Sequence, residues 1–170
     1  MAMAALAWGA FLLASTPTAA ADLVGKVMPP YPDGLEELGG SCVSASTDRA
    51  RVCDYSVGVL ASPPDASGLS VPRYVVAGRL AGRDGPRARW EITDAVPYPA
   101  GRQDYYLQFG TCRVEGKDDP RVAAIVRQHD TATEWLKDVA WAGRLRLPDA
   151  RFDVLDARAV DCINEAYYGL

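Results

Sequence analysis

Histidine is nearly absent from this chain, and the short patterns that mark common enzyme classes are missing altogether. The 170 residues contain one histidine, His129, which excludes the two-histidine zinc-protease pattern His-Glu-x-x-His. Neither the nucleophile pattern Gly-x-Ser-x-Gly nor a glycine-rich phosphate-binding pattern occurs. We therefore expect no cofactor, and the sequence weighs against an enzyme.

Positive charge is neither abundant nor clustered. Lys and Arg total 18 against 22 Asp and Glu, which gives a net charge of −4, and the basic residues form no run. A nucleic-acid ligand requires a basic stripe, and an anionic lipid surface requires a polybasic patch. The composition therefore excludes nucleic acid as the expected partner.

Long hydrophobic runs are also missing. The apolar run at residues 4–14 is shorter than the ~20 residues that a membrane helix needs, and small residues follow it up to Ala21. This pattern predicts a signal peptide at residues 1–21. It also predicts a single globular domain at 22–170 with no membrane span, in the periplasm or outside the cell. Because no Lys or Arg precedes the run, a buried N-terminal helix is the alternative.

The four cysteines are spaced too widely for the Cys-x2–4-Cys pairs of a zinc site, so no metal site is expected. In an oxidising compartment an even number of cysteines indicates disulfides, and four cysteines allow three pairings. We predict Cys42–Cys53, because this pair encloses a short polar loop, and therefore Cys112–Cys162. Free thiols are the alternative.

Apolar and β-branched residues indicate a mainly antiparallel sheet. We expect strands at 52–60, 73–82, 87–93 and 105–116, with a tight Asp-Gly turn between the second and the third. A further hairpin is predicted around 148–150. The residues predicted to share one core-facing surface of the second and third strands are Tyr74, Val76, Leu80, Trp90 and Ile92.

Two segments fit more than one secondary structure. Residues 120–128 fit a helix or a short buried strand, and we favour a strand at 122–126 because a helix is expected just after it. Residues 132–142 are predicted to be that helix, since Thr131 and Glu134 form a capping box. A long strand is the alternative for this second segment.

The remaining helical signal lies near the N-terminus, where Asp33 is placed to cap a single helical turn that ends at Gly39. Taken together, these elements predict an α+β fold. It consists of a mainly antiparallel sheet that carries one main helix and is stapled by disulfides.

The C-terminal segment is the candidate binding surface. Asn164 is the one asparagine of the chain, and it lies beside Glu165 and ahead of Tyr167 and Tyr168. Because tyrosine is enriched at binding hot spots, we expect these four residues to form a protein-binding patch. The alternative is a terminal strand whose tyrosines cover the end of the sheet.

Export, disulfides and the missing catalytic patterns indicate a non-catalytic, inhibitor-like module. Its expected partner is another envelope protein or a cell-wall component. The alternative is a small hydrolase that uses His129 or a pair of carboxylates ~5–9.5 Å apart. The carboxylates available for such a pair are Glu91, Asp94, Glu134, Asp138 and Glu165.

Overall fold

The residues that the computed structural model describes are 20–32, 34–47, 53–102, 104–128 and 132–169. Strands account for 54% of the structure and helical residues for 8%, and no helix of the described chain reaches seven residues. The predicted α+β class is therefore wrong, because the fold is built mostly from antiparallel sheets. Its described helical residues form the short 3₁₀ turns Ala20–Leu23, Ala157–Ala159 and Glu165–Tyr168.

The described residues contain thirteen strands. In chain order they are β1 (Val27–Met28), β2 (Glu36–Val43), β3 (Tyr55–Ala61), β4 (Pro72–Asp84), β5 (Arg87–Pro97), β6 (Tyr105–Phe109), β7 (Cys112–Val114), β8 (Lys117–Asp118), β9 (Val122–Arg127), β10 (Trp135–Leu136), β11 (Val139–Arg146), β12 (Arg151–Val154) and β13 (Val160–Ile163). Sheet A has the strand order β1-β5-β4-β3-β2, sheet B has β12-β11-β9-β6, and sheet C has β10-β13-β7-β8. All of these pairs are antiparallel.

Sheets A and B pack face to face around a shared apolar core, as in a β-sandwich. The ring of Trp141 meets that of Phe152 edge-on, with the centroids 5.3 Å apart. Such a pair adds specific geometry to the area that the rings bury. The buried residues of this core are Tyr55, Val57, Val75, Ala77, Tyr105, Ala123, Ile125, Leu145, Ala150 and Phe152.

Sheet C covers the other face of sheet B and forms a second core. Strand β9 is consequently buried on both faces, which explains why Val122–Val126 reads as an unbroken apolar run. The strand predicted at 122–126 is confirmed. The predicted Cys112–Cys162 disulfide is also present, and it joins directly paired residues of β7 and β13 in this core.

The N-terminal segment covers the outer face of sheet A. Leu23 is fully buried and Met28 is 3% exposed, and both pack on Leu60, Val76 and Ile92. The predicted core-facing surface is confirmed for most of its members, because this cluster also contains Tyr74 and Trp90. Leu80 lies further along β4, outside the cluster.

The predicted helix at 132–142 is wrong, because this segment contributes strands β10 and β11. Trp141 packs on the sandwich core, while Val139 and Ala142 pack on the second core. A shift of register between Val139 and Trp141 places these two side chains on opposite faces. An extended chain can contact apolar residues on both of its faces. These packing contacts with other strands outweigh the local preference for a helix that the capping residue Glu134 indicates.

Two further corrections concern strand boundaries. The strand predicted at 105–116 breaks at Gly110, whose φ of +82° turns the chain from sheet B into sheet C. A helical turn was predicted to end at Gly39, but residues from Glu36 onward form β2. Asp33 lies outside the described residues.

Both predicted hairpins are confirmed. Strands β4 and β5 meet at Gly85, and β11 and β12 meet beside Pro148. No helix in the described part of the chain is long and apolar enough to cross a membrane. Residues 1–19, which contain most of the predicted signal peptide, lie outside that part.

Candidate ligand groove

The C-terminal residues predicted as a binding patch divide into a buried anchor and an exposed pair. Asn164 is only 2% exposed, and its Nδ2 donates a hydrogen bond of 2.7 Å to the carbonyl oxygen of Thr133. Its backbone N–H donates to the carbonyl oxygen of Glu134 at 2.8 Å. Asn164 therefore lies beneath the surface, where it ties the end of the chain to the segment before β10.

Tyr167 and Tyr168 are each 49% exposed, and their rings meet edge-on with centroids 5.2 Å apart. The Tyr168 hydroxyl donates a hydrogen bond to the Glu134 carboxylate. That bond raises the pKa of Tyr168, and burial and the charge of Glu134 add to the effect. Glu165 is exposed at the start of the same 3₁₀ turn. The exposed part of the predicted patch is thus small and consists mainly of two tyrosines.

The residues predicted for a hydrolase lie in several parts of the fold, and the hydrolase remains an untested alternative. His129 lies outside the described residues. Most of the proposed carboxylates hold structural partners: Glu91 binds Arg79, and Asp94 accepts the backbone N–H of Phe152. Glu134 and Asp138 accept hydrogen bonds from tyrosine hydroxyls.

A groove of about 330 Å³ opens beside β2 and β6, which are edge strands of the two sheets of the sandwich. Among the described residues, its lining contains four aromatic side chains and no charged one. The lining residues are Leu38, Gly39, Gly40, Ser41, Val59, Ser70, Pro72, Tyr98, Tyr105, Tyr106, Leu107 and Phe109.

The groove exists because β2 has almost no side-chain volume at this point. Gly39 and Ser41 face the aromatic residues of β6 across the open side of the sandwich, and Gly40 between them lines the groove with its backbone. A Cβ atom added to Gly39 meets no atom within 4 Å. Sandwich interiors are normally close-packed, so this edge is a space that the described residues leave unfilled.

Hydrogen bonds at the two ends of β6 fix which of its backbone groups face β9. The Gly110 N–H donates to the Val122 carbonyl at 3.2 Å, and the Gln128 N–H donates to the Asp104 carbonyl at 3.4 Å. Backbone groups of an antiparallel strand alternate between its two edges. Even-numbered residues from 104 to 110 therefore face β9, and odd-numbered residues direct their N–H and C=O groups to the free edge.

The free edge begins with a residue whose backbone groups are already bonded. The Tyr105 N–H donates to the Arg102 carbonyl at 3.2 Å, and the Tyr98 hydroxyl donates to the Tyr105 carbonyl at 2.7 Å. Beyond Tyr105, the described strands place no partner strand beside Leu107 and Phe109 on this side. The backbone N–H and C=O groups of these two residues are therefore available to a ligand.

The polar groups at the Tyr105 end are held in place. The Tyr105 hydroxyl accepts from Arg102 at 2.9 Å and donates to Asp138 at 2.8 Å, and this second bond raises the pKa of Tyr105. Burial, with a smaller effect of Tyr106, raises the pKa of Tyr98 to about 12. Tyr98 therefore remains a neutral hydrogen-bond donor at physiological pH.

Sequence reasoning missed this groove because it depends on two strands that are distant in the chain. The available signals were two adjacent glycines next to a predicted disulfide and the tyrosines at 98, 105 and 106. Neither signal indicates by itself that these residues face each other. The Cys42–Cys53 disulfide, which was predicted, is present at the end of β2.

No protein-family model matches the chain, and no solved structure matches it. A curated protein described as a molybdenum cofactor guanylyltransferase, from Rhodopseudomonas palustris (strain HaA2), is 31% identical over 111 residues. The alignment covers 59% of this chain, and the chain spans about half the length of that relative (50%). This partial similarity does not show a family, and we transfer no activity from it.

Proposed function

We propose that this chain is an exported, disulfide-bonded binding module that holds a ligand of the cell envelope in the groove between β2 and β6. The observation that carries the proposal is the groove itself, an unfilled space with aromatic side chains at the edge of the sandwich. Ligand sites are typically concave and mostly apolar, with a few fixed polar groups. Here Ser41 supplies a hydroxyl, and Tyr98, whose O–H is donated to the Tyr105 carbonyl, supplies an acceptor oxygen.

Export is supported by the signal-like pattern at residues 1–21 and by the two disulfides. Disulfides persist in oxidising compartments such as the periplasm. Cleavage after Ala21 leaves Leu23 near the new N-terminus, and this side chain is buried against the outer face of sheet A. The mature chain thus keeps the residues that cover that face.

The lining of the groove supports binding in preference to hydrolysis. Hydrolysis through general acid–base catalysis needs a group that exchanges a proton near neutral pH. None of the described residues that line the groove is a carboxylate, histidine, lysine or arginine, and burial raises the pKa of Tyr98 to about 12. An inhibitor-like role requires only that the groove bind a partner.

The test blocks the groove without straining the backbone. Gly39→Trp places an indole in the unfilled space, and Val154→Trp places the same side chain on β12, at the opposite edge of sheet B, where Val154 is 70% exposed. Both proteins, and wild type, are purified from the periplasm and immobilised to capture ligands from an envelope extract. We expect a ligand that wild type and Val154→Trp retain and that Gly39→Trp loses.

Equal retention by all three proteins would overturn the proposed site. Near-ultraviolet circular dichroism establishes that each variant is folded before the comparison. If Gly39→Trp does not fold, Tyr106→Asp replaces it, because Tyr106 is 53% exposed at the rim and its loss leaves no core cavity. Retention of the ligand by Tyr106→Asp at the wild-type level would then count against the groove.

A further inference from the structure

The free edge of β6 presents a pattern of hydrogen-bonding groups that an extended polypeptide matches. Leu107 and Phe109 each direct one N–H and one C=O toward the groove. Such alternating donors and acceptors recur along another main chain in the extended conformation. Unpaired strand edges are used in this way when a peptide adds to a sheet.

The space beside β6 also suits the side chains of an added strand. Leu107 and Phe109 turn their side chains toward the sandwich core, so a neighbouring strand turns every second side chain the same way. Those side chains would enter the region that Gly39 and Ser41 leave unfilled. The five residues of β6 span roughly 17 Å, which limits the paired segment to about five residues.

Charge and exposure define the chemistry of that segment. No described lining residue is charged, so a buried Lys, Arg, Asp or Glu of the ligand would find no opposite charge among them. Leu38 and Tyr106 at the rim are 52% and 53% exposed. In the adjoining loop Leu69 is 66% exposed and Val71 is 46% exposed. The side chains of the ligand that enter the groove are therefore uncharged and mainly apolar.

From these observations we infer that the ligand is an extended polypeptide segment, with uncharged, apolar side chains toward the groove, that joins sheet B as an additional strand beside β6. This inference rests on the proposed function, because it names the ligand of the same groove. An oligosaccharide could stack on the tyrosines, but it does not repeat the donors and acceptors of a main chain. A second copy that paired through its own β6 would leave both grooves unfilled, since Leu107 and Phe109 already pack inward.

The first measurement is residue-level amide exchange by NMR, on the wild-type protein from the periplasm. The probe is the blocked peptide acetyl-Thr-Val-Thr-Val-Thr-Val-amide, titrated to saturation. The amides of Leu107 and Phe109 are expected to exchange fast in the free protein and about fivefold or more slower with peptide, the factor that a ~1 kcal/mol hydrogen bond represents. The amides of Tyr106 and Gln108 already face β9 and are expected to change less.

The second measurement uses two N-methylated versions of the peptide, one methylated at every valine and one at every threonine. Only one of these sets faces β6 in a strand, so one version is expected to lose binding while the other keeps it. The Gly39→Trp variant is expected to bind none of the three peptides, and Val154→Trp is expected to bind like wild type.

The outcomes separate this inference from the proposed function. Chemical-shift changes at the lining residues without slower exchange at Leu107 and Phe109 would overturn strand addition and leave the groove as a binding site. Equal effects of the two N-methylated peptides would do the same. An envelope ligand that Gly39→Trp loses but that survives protease treatment would overturn the polypeptide assignment alone.

Discussion

The adjacent glycines of β2 provide a matched pair of substitutions that tests how closely β2 packs on β3. A Cβ on Gly39 meets nothing within 4 Å, whereas a Cβ on Gly40 lies 2.8 Å from the Val57 carbonyl oxygen and 3.1 Å from Gly58 Cα. The obstructing atoms belong to the backbone of the paired strand. A side-chain rotation cannot relieve that contact, so the strands themselves must separate.

The expected magnitudes follow from two opposing effects. Gly→Ala reduces the conformational freedom of the unfolded chain and stabilises a compatible site by about 0.4–1 kcal/mol. Gly39→Ala should therefore be stabilising. Gly40→Ala gains the same unfolded-state contribution, but overpacking costs about 1–3 kcal/mol. Because the first contribution is common to both variants, the difference between them isolates the contact with Val57 and Gly58.

The assay is urea denaturation of wild type, Gly39→Ala and Gly40→Ala with both disulfides intact. We expect Gly40→Ala to be less stable than Gly39→Ala by about 1–3 kcal/mol, with equal denaturant dependence. If the two variants agree within ~0.5 kcal/mol, the reasoning fails, because β2 then accommodates a methyl group equally well on either face.

Three further predictions concern a disulfide, a carboxylate and a buried phenol. Replacing Cys112 and Cys162 by alanine removes a disulfide between residues 50 positions apart. The free energy of unfolding, measured in urea, should fall by about 4 kcal/mol. Unchanged stability would contradict this prediction. Burial raises the pKa of the Asp119 carboxyl, but a backbone N–H and the Arg144 guanidinium outweigh it and lower the pKa below the ordinary value of 3.8. The ionised Asp119 carboxyl therefore stabilises the folded protein fully above pH 3.8, and this stabilisation is lost as the pH falls through the lower pKa of the folded state. Asp119→Asn should consequently reduce the thermal midpoint at pH 7 more than at pH 2. Equal reductions at the two pH values would refute the assignment. Tyr98→Phe removes a phenol whose pKa burial raises to about 12, so ultraviolet titration should show one late-ionising tyrosine fewer; an unchanged late phase would refute it.

Features that depend on neighbours in the chain could be predicted from the sequence. The hairpins at Gly85 and Pro148 were found because turn residues separate two apolar runs. The disulfide pairing was found because the first pair encloses a short loop, which leaves Cys112 for Cys162. In each case the deciding interaction lies within one short segment or follows by elimination.

Features that depend on distant contacts could not be predicted in this way. The segment 132–142 carries a local helix signal, but both of its faces meet apolar cores formed by other strands. The helix would have buried one face only, and the extended chain buries both. The long strand, which was the alternative for this segment, was the better prediction, although a register shift between Val139 and Trp141 interrupts its alternation.

The candidate groove could not be predicted from the sequence either, because it arises where side chains are missing. Gly39 and Gly40 have low strand propensity and little to pack, so β2 gains little from its own side chains at this point. Pairing with β3 and the Cys42–Cys53 disulfide compensate, because the bridge ties the end of β2 to the residue that leads into β3. A disulfide can hold a strand in place even where the strand's own side chains make few contacts, and it leaves the inner face of that strand open. The local disulfide and the glycine pair are therefore best understood together: one keeps the edge of sheet A in place, and the other provides the space beside β6.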